Sequence, residues 1–139
     1  MTSKLATRLY LILSAVIALA IGGILTFAPG LLHGPSGIPL ETANQLSEVR
    51  APGAFLLVSG LWILAGGLAT PLSRGGTVLS VMLYGSYAVG RVLSIMLDGW
   101  PSQSLVIALA IEAVIALVGL GVLKQWRPDR AQCRTRPVA

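Results

Sequence analysis

The sequence predicts an all-α fold, an integral membrane bundle of four helices with both termini in the cytoplasm. Three observations predict it. Four apolar runs each approach the roughly 20 residues that cross about 30 Å of hydrocarbon. Hydrophobic residues make up 55% of the 139 and charged residues only 11%, too few to cover a water-facing surface. Lysine and arginine gather on one side of the runs, as membrane orientation signals do. The length suits one domain, with the bundle over residues 1–123 and a disordered basic tail over residues 124–139.

The first span covers residues 9–27. Lys4 and Arg8 precede it and Ala18-Leu19-Ala20 offers small residues, the ingredients of a signal peptide. The apolar run continues through Ile24 and Leu25, longer than a signal core, so a retained helix is expected. Residues 28–50 form a long connection rich in Pro and Gly. Within it Thr42-Ala43-Asn44-Gln45 has the form of a capping box, which predicts a short interfacial helix through Glu48. The second span covers residues 51–69, and Pro52 suits its first turn, where a missing N–H costs nothing. Thr70-Pro71-Leu72-Ser73-Arg74-Gly75-Gly76 reads as a tight turn. The third span, residues 78–97, contains Arg91. Asp98-Gly99-Trp100-Pro101 turns the chain, with Trp100 at the height of an aromatic belt. The fourth span, residues 105–123, contains Glu112.

Net charge is formally +5, and its placement matters more than its size. Lys4, Arg8, Arg74 and the tail cluster Lys124, Arg127, Arg130, Arg134 and Arg136 fall on one side of the spans. Glu41, Glu48 and Asp98 fall on the other, with Arg50 near its edge. The positive-inside rule therefore puts both termini in the cytoplasm. Basic residues that flank spans do not make the basic face a nucleic acid needs, so no nucleic-acid partner is expected.

Ser80, Tyr84, Tyr87, Arg91, Ser94 and Asp98 recur at alternating steps of four and three. That spacing places all six on one helix face, and a polar face in a membrane turns toward other helices or water. Ser86, Gly90 and Ser94 repeat every fourth residue, a small-xxx-small pattern that permits close helix approach. Gly53, Gly60 and Gly67 repeat every seventh. Both stripes are expected to pack within the bundle.

Arg91 and Glu112 carry the strongest demand, since a charge near the bilayer centre costs several kcal/mol. At 1.5 Å per residue, Glu112 lies about 15 Å deep from Ser102, and Arg91 about 10 Å deep from Asp98. Side chains lean toward the N-terminus of their helix, so these two lean toward each other across antiparallel neighbours. An ion pair is expected. Glu48, Arg50 and Asp98 are placed at an outer lip above it. The candidate ligand-binding or ion-pair centre is therefore Arg91, Glu112, Tyr84, Tyr87, Ser94, Asp98, Glu48 and Arg50. His33 reads as a loop residue, and one histidine makes a poor metal site. Cys133 alone forms no internal disulfide. No P-loop or G-x-S-x-G appears, and neither a cofactor nor a catalytic set is called for.

These residues carry a resemblance. Ser47-Glu48-Val49-Arg50-Ala51 before the second span, Gly90-Arg91 with Ser94, Asp98-Gly99-Trp100-Pro101, and Glu112 in the last helix resemble the small bacterial membrane proteins grouped as domain of unknown function 4345. The likeness covers residues 5–123, and Pro52 departs from its pattern. It implies a four-helix fold in a bacterial inner membrane and no particular reaction.

The function expected first is binding of an amphipathic small molecule or lipid around Arg91 and Glu112. The alternative is a non-catalytic accessory or structural subunit of a larger membrane complex or homo-oligomer, in which the charge pair only holds register. A third, an enzyme with Glu112 as embedded acid or base, needs a raised carboxyl pKa and has no other support in the sequence. A fourth, proton-coupled transport, would need the repeated halves that support alternating access, and the chain shows no repeat. A cavity beside Arg91 would favour binding, and a closed network would favour the subunit.

Overall fold

The structure, a computed structural model, describes residues 2–35 and 37–126. It contains α1 (Thr2–Phe27), α2 (Gly30–His33), α3 (Ala43–Leu68), a 3-10 turn (Thr70–Leu72), α4 (Ser73–Asp98) and α5 (Gln103–Lys124). Among the described residues there is no strand. The four long helices are long and apolar enough to cross a membrane. Their outward faces are apolar, with Leu13, Val58, Met82 and Leu117 all exposed. The expected tail falls on residues 127–139, outside the described residues.

The helices alternate in direction. One end of the bundle carries the start of α1, the 3-10 turn and the end of α5, and is called the terminal end. The other carries residues 28–42 and 99–102, and is called the loop end. α1 lies against α3 and α4, α3 beside α4, and α4 beside α5; α3 and α5 stand apart.

Glycine sets the closest seam, between α1 and α3. A Cβ on Gly53 would meet Leu25 and Thr26, one on Gly60 would meet Leu19, and one on Gly67 would meet Leu11 and Ile12. The seven-residue stripe therefore packs as expected. α1 answers with Gly22, where a Cβ would stand 2.7 Å from the Leu57 nitrogen. Small residues let backbones approach and gain dispersion contacts.

Three local expectations are corrected. The capping box forms, with Gln45 N–H donating to Thr42 Oγ1 at 3.2 Å and Thr42 N–H to Gln45 Oε1 at 3.0 Å. The helix it opens does not stop at Glu48 but runs on as α3 through Leu68, so Pro52 is interior. Its missing N–H leaves the Glu48 carbonyl without a helical donor, near the exposed start of the helix. The tight turn is also shorter than expected. It ends at Leu72, because the Ser73 hydroxyl donates to the Gly66 carbonyl at 2.8 Å and starts α4 there. Gly76 is thus inside α4, facing Gly66. Finally, Ser86, Gly90 and Ser94 do not pack: nothing lies within 4 Å of a Cβ on Gly90. The buried face of α4 follows Ser73, Thr77, Ser80, Tyr84 and Ala88 instead, and at about 100° per residue Ser86 and Gly90 turn away from it.

Candidate functional site

The polar side chains of the bundle are arranged in tiers. In the middle of the bundle, the Tyr10 hydroxyl donates to the Ile115 carbonyl of α5 at 3.2 Å and meets Ser80 Oγ of α4 at 2.8 Å. With its proton given to Ile115, Tyr10 accepts from Ser80. One turn on, Tyr84 donates to the Ser14 carbonyl at 2.5 Å, and the Ser14 hydroxyl donates back to the Tyr10 carbonyl at 2.8 Å. This network ties α1 to α4 and α5. Such hydrogen bonds contribute a net of only about 0.5–1.5 kcal/mol each, so the network chiefly fixes the register of the three helices. Gly119 makes room for it, since a Cβ there would collide with the Tyr10 hydroxyl. Tyr10 and Ser14 escaped the sequence reading; their spacing of four on an otherwise apolar run was the available signal.

Above this tier Arg91 Nε donates to Glu112 Oε2 at 2.9 Å, the only ion pair among the described residues. The two side chains are 29% and 13% exposed. Opposite helix directions and N-terminal leaning bring them together, as their spacing anticipates.

The pair forms one wall of a cavity of about 340 Å³. α1 and α5 meet at Tyr10 and part beyond it, so the gap opens toward the loop end. Ile17, Ile21 and Leu25 of α1 face Leu105, Ala108 and Ile111 of α5 across it. Leu56, Tyr84 and Tyr87 help close the sides, while Leu32, His33 and Ile38 of the first connection cover the mouth. Ten of the sixteen described lining residues carry aliphatic side chains, and Arg91, Glu112, Tyr87 and His33 are among the polar ones.

Those polar groups retain hydrogen-bonding capacity. Beyond Glu112, the Arg91 guanidinium has no hydrogen-bond partner among the described residues, and neither has the Tyr87 hydroxyl. His33 Nδ1 lies 3.1 Å from the Pro29 carbonyl. A carbonyl only accepts, so this bond needs the proton on Nδ1 and leaves Nε2 as an acceptor in the neutral ring.

The eight expected site residues therefore divide. Arg91, Glu112, Tyr84 and Tyr87 line the cavity. Ser94, Asp98, Glu48 and Arg50 do not; all four are exposed at the loop end. Ser94 donates to Asp98 at 3.0 Å along the open face of α4. Glu48 and Arg50 sit on α3, which never reaches α5. His33, expected to be only a loop residue, is a lining residue. Its position depends on the path of a long connection, which no periodicity reports. Tyr87 and Arg91 also edge an open groove with Ser86, Gly90 and Ser94.

No group of three or more metal-ligating side chains occurs among the described residues. No curated protein and no solved structure matches the chain. The family described as Domain of unknown function (DUF4345) matches residues 6–123, from the second turn of α1 almost to the end of α5, and the chain belongs to that family.

Proposed function

We propose that the four helices span a bacterial inner membrane, with both termini cytoplasmic, and that the chain binds one small amphipathic molecule in the cavity beside Arg91 and Glu112. The observation that carries this is the cavity itself. Its about 340 Å³ falls at the low end of the roughly 300–1,000 Å³ of small-molecule sites. Its apolar walls with a few convergent polar groups also follow the pattern of such sites. The ligand's head would accept from Arg91 and Tyr87 and donate to His33 Nε2. Its apolar body would lie along Ile17, Ile21 and Ile111.

Native mass spectrometry of protein extracted from membranes in lipid-like particles tests the proposal. A discrete small adduct is expected, and Ala108→Phe, which fills the cavity from α5, should remove it without unfolding the chain. An adduct that survives this change would place the ligand elsewhere.

The outward Ser86-Gly90-Ser94 stripe supports a second reading, a subunit of a larger membrane complex, because small residues at this spacing suit a further helix. The same spectra would then show a stoichiometric protein partner or a second copy and no small adduct.

A further inference from the structure

A second and smaller cavity, about 170 Å³, lies at the terminal end, away from the Arg91 cavity. Lys4, Thr7 and Arg8 of α1, Thr70 and Ser73 at the turn into α4, and Gln125 and Trp126 after α5 line it. Two cations, three hydroxyls and an amide thus converge from three parts of the chain. The Arg8 guanidinium is anchored, with Nε donating to the Gly67 carbonyl at 3.1 Å, which leaves its terminal nitrogens available. The Lys4 ammonium has no hydrogen-bond or ion-pair partner among the described residues. Among the described residues no carboxylate lines the cavity. The described acidic residues Glu41, Glu48, Asp98 and Glu112 all lie toward the loop end or the middle of the bundle.

We propose that this cavity binds a phosphate ester of net negative charge. A guanidinium beside an ammonium suits phosphate, the first as a fixed fork of donors and the second as a compact charge. The Thr70 hydroxyl and the Gln125 amide add neutral donors. The volume admits a headgroup and not a whole lipid. Basic pockets between helices at a membrane surface bind anionic headgroups in this way, and Trp126 stands where an interfacial aromatic would. From the proposed function the site borrows only the bilayer, and a free phosphate compound offers the same chemistry.

The full chain in detergent, followed by native mass spectrometry, separates the outcomes. Phosphatidylglycerol is expected to bind at least tenfold more tightly than phosphatidylcholine. Each basic residue near such a headgroup contributes about fivefold. Lys4→Ser, an exposed change that breaks no contact, should therefore weaken binding about fivefold, and Lys4→Ser with Arg8→Gln about thirtyfold. Arg74→Gln, a cation at the same end outside the cavity, should leave it within twofold. Ala108→Phe should also leave it unchanged, which separates this site from the Arg91 cavity. Displacement of the lipid by millimolar inorganic phosphate would identify a free phosphate compound as the source, and resistance to it would identify the lipid. Equal binding of both lipids together with indifference to phosphate overturns the proposal. So does a loss with Arg74→Gln as large as with the double change.

Discussion

Arg91 and Glu112 each require the other. Removing one strands a charge in a place of low dielectric, and breaking such a buried pair costs about 3–5 kcal/mol. Arg91 is 29% exposed, so the low end of that range applies. Arg91→Met and Glu112→Leu should each lower the unfolding temperature in detergent, and the double variant should recover much of the loss. If the cavity binds a ligand, the recovered double variant should still lack the small adduct. Strictly additive losses would mean that the pair contributes no coupling. Gly119 makes a second residue-scale case. Gly119→Ala drives a methyl into the space of the Tyr10 hydroxyl, which must give up Ile115 or Ser80. A loss of about 1–3 kcal/mol is expected, and Tyr10→Phe made in the same background should add little to it.

Among the elements, glycine decides which helices touch. Gly22 and Gly90 both lie inside helices, where alanine is intrinsically favoured by about 0.5–1 kcal/mol. Gly90 faces open space, whereas a Cβ on Gly22 would meet the backbone of Leu57 and Gly53 within 3 Å. The same substitution should therefore have opposite signs, Gly90→Ala neutral to slightly stabilising and Gly22→Ala clearly destabilising. Thermal unfolding of the two variants in one detergent measures it. If Gly90→Ala destabilises as much as Gly22→Ala does, the α4 stripe is covered in the intact assembly, which would favour the subunit reading. The periodicity of three and four on α4 located its polar face correctly at Ser80, Tyr84, Tyr87 and Arg91. It could not say where along the helix that face leaves the bundle. Ser94 and Asp98 fall on the same side of α4 as Arg91 but are exposed.

For the whole molecule, the distribution of lysine and arginine carries the proposed orientation. Fusions of a topology reporter after Gly75 and after Arg130 should both read cytoplasmic, and one after Gly37 external. An external reading after Arg130 would contradict the positive-inside assignment and with it the cytoplasmic placement of the Lys4–Arg8 cavity.

The sequence by itself determined the four helices, the glycine seam of α3, and the need for Arg91 to find Glu112. These follow from quantities a single strand of residues carries: run length against bilayer thickness, helical period, and the cost of an unpaired charge in hydrocarbon. Only the tertiary structure decided that α1 and α5 part beyond Tyr10, that the first connection brings His33 to the gap, and that Lys4 and Arg8 line one cavity with Gln125 and Trp126. A cavity is the space left between helices, set by how far they splay and where a connection crosses. Such distances depend on residues far apart in the chain, and no local pattern records them.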